Sequence, residues 1–258
     1  MEYLVVRLSG RSSLEASRFI EIKTDGAKPK LSDLIDEVIL NEKRPPIPQM
    51  RVDGLKDNFW RHRPAQVYMR DRGFDKATVE EFEVGFDPEV MTKKGPVPMV
   101  VVPVHDSYGN ILGVNGRGIE EKVFKLSRRI PRNEMLFNLN RAREYQTGIL
   151  TESQFDTMKL WQAGFPNGIA PLGSHLSNSQ LWLMRKYFTR VIIMTDNDDP
   201  GRSMGRRVAE SLKDVRVEWA MFTGTEAYPD GAKDAGDMND EQIRQCLRNA
   251  VPHLDLPG

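Results

Sequence analysis

Cysteine is almost missing from this chain of 258 residues: Cys246 stands alone, so neither an intramolecular disulfide nor a cysteine-rich zinc site can be built. Histidine is scarce too, with four in all. No apolar run approaches the length that crosses a bilayer. The opening MEYLVVRLSGRSS has no cleavage-site pattern, so no signal peptide is expected and the cytoplasm is the expected compartment. No Gly-x-x-x-x-Gly-Lys-Ser/Thr loop occurs, which excludes a P-loop motor. Net charge is also missing, since 37 basic residues balance 37 acidic ones. What remains is an ordinary globular composition, 39% hydrophobic and 29% charged, with length for one large domain or two modest ones.

The zero net charge hides a strong segregation. Residues 122–143 hold seven Lys or Arg and one acid, Glu134, whereas residues 225–241 hold six acids and one base, Lys233. Such a chain can bind phosphates and metal cations side by side. Either run alone reads equally well as a solvated face.

Residues 1–48 form a small preface, strand-like at 3–8 and 19–23 and helical in spacing at 31–40, closed by the RPPIP linker at 44–48. Residues 51–145 are mixed and basic. Their clearest part is MVVVPVHDSYGNILGVNGRG, two strand-like runs around a turn made by Asp106, Gly109 and Asn110, hence a hairpin. From 146 to 258 strand and helix alternate, which predicts a parallel, doubly wound α/β sheet. Strands are expected at 148–151, 169–172, 191–194 and 215–221. Helices are expected at 153–163, from the Ser177 cap with its Gln180 partner, from Pro200 through Leu212, and at 239–249. Cys246 falls on the apolar side of the last helix and reads as a core residue.

In such sheets ligands bind at the carboxyl ends of strands, and acids are found there. Glu152 follows one strand, and Asp196, Asp198 and Asp199 follow another in IIMTDNDDPGR. Asp156 lies one helical turn beyond Glu152, so both can face one site. Like charges this close cost free energy unless something positive lies between them. Carboxylates without His or Cys suit a hard cation, Mg²⁺ or Mn²⁺, of the kind that serves phosphate chemistry. Asp199 reads as a helix cap before Pro200 rather than as a ligand. Arg202, at the start of the same helix, can reach a phosphate.

GILTESQFD, IIMTDNDDPGR and KDAGDMND, in this order, resemble the three acidic motifs of the Toprim fold. Upstream, YMRDRGFDKATVEEFEVGF, VVVPVHDSYGNILGVNGRG, FKLS and MLFNLNRA resemble successive segments of DnaG-type bacterial and phage primase cores. The resemblance implies a Toprim-type parallel sheet flanked by helices, preceded by a basic α+β subdomain. It implies Glu152, Asp196 and Asp198 as the catalytic acids and metal ligands. Asp156, Asp234 and Asp237 follow as outer ligands, and Arg117 and Lys125 lie on the substrate side. Arg128 and Arg129, within the basic run, are expected to hold template backbone with them.

Two departures stand out: Ser153 where the first motif usually has Gly, and Asp199-Pro200-Gly201 where a small residue and Gly usually follow Asp-x-Asp. The zinc ribbon usual in these primases has no counterpart here, so no zinc is expected. The implied activity is RNA primer synthesis on single-stranded DNA from NTPs, with a replicative helicase or a separate zinc-bearing protein as partner and no membrane. A Toprim nuclease, or a non-catalytic nucleic-acid-binding protein derived from a primase, would retain the same acids. A haloacid-type phosphatase wants Thr or Val where Pro200 stands, and a topoisomerase wants more chain.

Overall fold

A computed structural model describes residues 47–253 apart from 174 and 224–225; the strand-like and helical runs at 3–40 lie outside the described residues. Helices α1 (Gln49–Arg61), α2 (Arg63–Asp71) and α3 (Lys76–Glu81) lead into strands β1 (Gly85–Thr92), β2 (Gly95–His105), β3 (Ile111–Gly118) and β4 (Phe124–Leu126). These four strands form one antiparallel sheet in chain order. The β2–β3 hairpin turns where the sequence predicts. Asp106 Oδ1 accepts from the N–H groups of Tyr108 (2.8 Å) and Asn110 (2.9 Å), and Gly109 takes a positive φ of 92°. Strand β2 is apolar on both faces for a reason. Val100, Val102 and Val104 enter a large core with Phe59, Phe82 and Phe155, while Val97, Met99 and Val101 pack beneath Leu55, Val90 and Val114.

The second sheet uses β5 (Leu136–Phe137), β6 (Thr147–Leu150), β7 (Gly168–Pro171), β8 (Arg190–Ile193), β9 (Arg216–Trp219) and β10 (Val251–Pro252), in the order β10-β9-β8-β6-β7-β5. Its four inner strands are parallel, as expected, but both edges are antiparallel. The wholly parallel expectation is corrected there: β5 arrives from the first sheet and β10 follows the last helix, and neither is a crossover strand. Four helices cover the sheet: α5 (Gln154–Gln162), α6 (Asn178–Tyr187), α7 (Asp199–Ser211) and α8 (Asp240–Arg248); the short α4 (Leu139–Ala142) precedes β6. Alternation along β8 sends Val191 and Ile193 to the α6 and α7 side and Ile192 to the α5 and α8 side, where Cys246 is fully buried.

Helix α5 is the joint between the sheets. Phe155 and Met158 enter the core beneath the first sheet, while Leu160 and Ala163 enter the core of the second. Even Lys159 is buried, its Nζ donating to the Gly73 carbonyl at 2.7 Å. Gly73 has φ +75°, and a Cβ there would lie 2.6 Å from the lysine nitrogen. The Gly of YMRDRG thus supplies a left-handed backbone conformation at this joint.

Candidate metal and nucleic-acid site

Strands β6 and β8 are parallel neighbours with Leu150 beside Ile193, so the residues that follow them emerge together. Glu152 and Asp196 are therefore adjacent, and the Asp196 N–H donates to Glu152 Oε1 at 3.0 Å. The Asp-x-Asp loop is held from several sides. Buried Tyr228 donates its hydroxyl to the Thr195 carbonyl, Thr195 Oγ1 donates to the Gly201 carbonyl at 2.9 Å, and the Gly201 N–H donates to Asp198 Oδ1 at 2.9 Å. A side chain at Gly201 has no room, since its Cβ would lie 2.1 Å from the Asp196 carbonyl oxygen and 2.6 Å from Glu152 Oε1.

Asp198 is the N-cap of α7, and Asp199 is its first residue, 96% exposed and paired with Arg202. The expectation that Asp199 caps the helix is corrected: Pro200 occupies the first turn either way, and only the backbone decides which aspartate precedes it. Ser153, where the resembled motif usually has Gly, caps α5 in a reciprocal box with Asp156.

Burial and repulsion act together on these acids. Glu152 is pushed up to about 6, first by burial and then by Asp196. Buried Asp156 rises to about 7, again by burial first and then Asp234, against the two hydrogen bonds it accepts from Ser153. Asp196 is raised by burial and by Asp234. Asp198 is lowered instead, because the Gly201 N–H and the Lys233 ammonium favour its charged form. Asp156 and Asp234 flank Gly236, their Oδ1 atoms 3.7 and 2.8 Å from the position of a Cβ there. Asp237 is engaged in its own loop, with Oδ2 accepting from the Lys233 N–H at 2.9 Å.

Among the described residues, no three His, Cys, Asp or Glu side chains stand close enough to hold an ion in this arrangement. The positive charge between the aspartates is Lys233, with Nζ 3.5 Å from Asp196 Oδ2 and 3.1 Å from Asp198 Oδ2. The donor chemistry nevertheless fits a hard divalent cation. All the donors are oxygens, two of them already share a cation, and Glu152 is held against the same loop.

The basic residues divide. Arg117, opposite Phe124 in the β3–β4 pair, lays its guanidinium over Phe124 (4.7 Å) and over Phe155 (5.7 Å), three residues beyond Glu152. Lys125 is half-buried beside Gly116, while Arg128 and Arg129 are exposed in the turn after β4. Arg202 bonds Asn197 and Asp199, beside an open depression of 520 Å³ along the outer face of α7 that Arg206 and Arg207 also line. Of the predicted carboxylate ligands, none lines that depression.

Residues 149–240 match the family model described as Toprim-like. A DNA primase of Aquifex aeolicus is 30% identical over 236 aligned residues, covering 77% of this chain and 47% of that protein. The crystal structure of the Aquifex aeolicus primase zinc-binding and RNA polymerase domains matches with TM-score 0.66 and 25% identity, over 97% of this chain and 70% of that one. The architecture is that of a DnaG-type core. A DnaG primase catalytic domain bound to ssDNA has the same fold, with TM-score 0.61, 19% identity and 78% of each chain covered. The chain spans about half or less of the length of the curated relatives it matches.

Three residues escaped the sequence reading. Arg72 stacks on Tyr68 (5.0 Å) and Phe155 (5.5 Å), and its Nε, the Tyr68 hydroxyl and Gln154 Oε1 are buried without hydrogen-bond partners among the described residues. Its signal was the quoted YMRDRG. Phe124 is 53% exposed under Arg117, an aromatic surface that a single Phe in FKLS does not announce. Lys233 looked like one base diluted among six acids.

Proposed function

We propose that this chain is a primase catalytic core that makes short RNA primers on single-stranded DNA by metal-dependent nucleotidyl transfer. In the reaction a ribonucleotide 3′-hydroxyl attacks the α-phosphorus of an incoming NTP, forming a phosphodiester bond as pyrophosphate leaves. The observation that carries the reading is the joint at α5. Glu152 begins the acidic site there, while Phe155, three residues on, meets Arg117 and Arg72. One helix start thus ties the carboxylates to two guanidinium groups.

Glu152, Asp196 and Asp198 would hold the divalent ion, Mg²⁺ or Mn²⁺, with Asp156 and Asp234 outside them and Asp237 the least available. Such an ion polarises phosphoryl oxygens and neutralises charge that develops on the attacking and leaving oxygens. The chain's own residues do the rest. Backbone hydrogen bonds fix Glu152 and Asp198, Arg72, Arg117 and Lys125 attract phosphates, and Phe124 offers a base-stacking surface. Arg128, Arg129 and Arg202 extend the cationic surface for template backbone. We extend the reading to a cytoplasmic partner that presents the template, a replicative helicase or a zinc-bearing protein, with residues 1–48 as its docking piece. Backbone contacts alone give dissociation constants of ~10⁻⁴–10⁻⁶ M, too weak to hold one start site.

The test is synthesis of labelled oligoribonucleotides on single-stranded DNA with NTPs and Mg²⁺ or Mn²⁺. Products that require NTPs and vanish with Asp196→Asn support the reading. Metal-dependent DNA cleavage without NTPs would identify a nuclease instead.

A further inference from the structure

Lys233 is placed too firmly to be an incidental surface lysine. Its backbone carbonyl accepts from the N–H of Asn197, the residue between the two aspartates, at 2.7 Å. Its own N–H donates to Asp237 Oδ2 at 2.9 Å. The root of the side chain is thus docked on the Asp-x-Asp loop from one side and braced by its own loop from the other. From that root the ammonium reaches both aspartates, at 3.5 and 3.1 Å. Yet the side chain is 57% exposed, so the ammonium can leave the carboxylates without opening the core.

We propose that Lys233 is a resident counter-cation of the carboxylate site, which holds Asp196 and Asp198 together in the metal-free protein and which a divalent ion must displace. The inference rests on the reading that these carboxylates hold a metal. An ammonium and a divalent cation cannot share the same oxygens, because like charges a few ångströms apart repel strongly in a partly desolvated site. The ammonium is weaker per contact than a divalent ion, but it is tethered, so its effective concentration at the site is high. Lys233 therefore keeps the acidic loop folded without metal and lowers the apparent affinity for metal.

The experiment is calorimetric titration of Mn²⁺ into the wild-type chain, Lys233→Met and Lys233→Arg, without nucleotide or DNA, with thermal unfolding recorded in EDTA and in saturating Mn²⁺. Lys233→Met is expected to bind Mn²⁺ roughly two- to fivefold more tightly, the scale of a partly exposed ion pair. It should unfold at lower temperature than wild type in EDTA and lose that deficit in Mn²⁺. Lys233→Arg, which keeps the charge, should stay near wild type. Equal or weaker Mn²⁺ binding by a folded Lys233→Met protein overturns the counter-cation role and leaves the metal reading standing. No Mn²⁺ binding by any of the three proteins overturns both.

Discussion

The acidic strand ends and the basic hairpin sheet solve opposite problems. At the strand ends, Glu152, Asp156, Asp198 and Asp237 each accept from a backbone N–H, so those acids are fixed to the main chain. On the hairpin sheet Arg117 rests on aromatic rings, and Arg128 and Arg129 extend into solvent. The first arrangement ties the carboxylates to the main chain and so limits their freedom, which suits phosphoryl chemistry. The second supplies charge and stacking surface with freedom to adjust, which suits a flexible single strand.

The largest expected effect cuts between the two regions. Asp196→Asn should reduce primer synthesis at least about a hundredfold, since metal-assisted charge stabilisation is worth several kcal/mol. Binding of labelled single-stranded DNA, followed by fluorescence anisotropy, should stay near wild type. Equal loss of both would break the division of labour.

Next in size is the charge itself. With about four phosphates neutralised on a single strand, log affinity should fall against log salt with a slope near ~3. Replacing Arg117, Lys125, Arg128 and Arg129 by Ala one at a time should take about 0.7 off that slope per residue. A slope indifferent to these changes would make the run a solvated face.

Phe124→Ala sharpens the same region. It should weaken binding by roughly 1–3 kcal/mol if a base stacks there, and leave the salt slope unchanged. A change of slope with no loss at fixed salt would argue against stacking.

A further effect is on stability in the acidic region. The Asp156 carboxyl lies at about 7 in the fold against 3.8 ordinarily, so the folded state holds its proton more tightly than the unfolded state. It therefore contributes stability that is complete below about 4 and is lost as pH rises through about 7. Asp156→Asn should flatten that decline, raising the metal-free melting temperature at pH 8 relative to wild type. A parallel pair of melting curves across pH 4–8 would contradict the burial of this charge.

Much of the acidic region was legible because its signals are local. Ser177 with Gln180 announced a capped helix, Pro200 announced the first turn of another, and acids after separate strands announced neighbouring carboxylates at the strand ends. One misreading was also local. Asp198 rather than Asp199 caps α7, which depends on one residue's ψ angle. Asp237 bonds its own loop, a choice that spacing cannot express. The basic region was legible only as an excess of charge, because a cation's role there depends on the ring beneath it. Arg117 and Arg72 meet at Phe155, which is 38 residues from one and 83 from the other along the chain.

By itself the sequence determined the α/β alternation, the hairpin, the burial of Cys246 and the oxygen-only donor set, since periodicity, turn residues and side-chain chemistry are properties of short stretches. The tertiary structure alone decided that β6 and β8 are neighbours, which brings Glu152 to the Asp196 amide. It alone turned both sheet edges antiparallel, packed α5 between two cores, and placed the single lysine of an acidic loop between two aspartates of another. These are contacts between segments far apart in the chain, and their free energy comes from burial and from Coulomb attraction at distances that only folding sets.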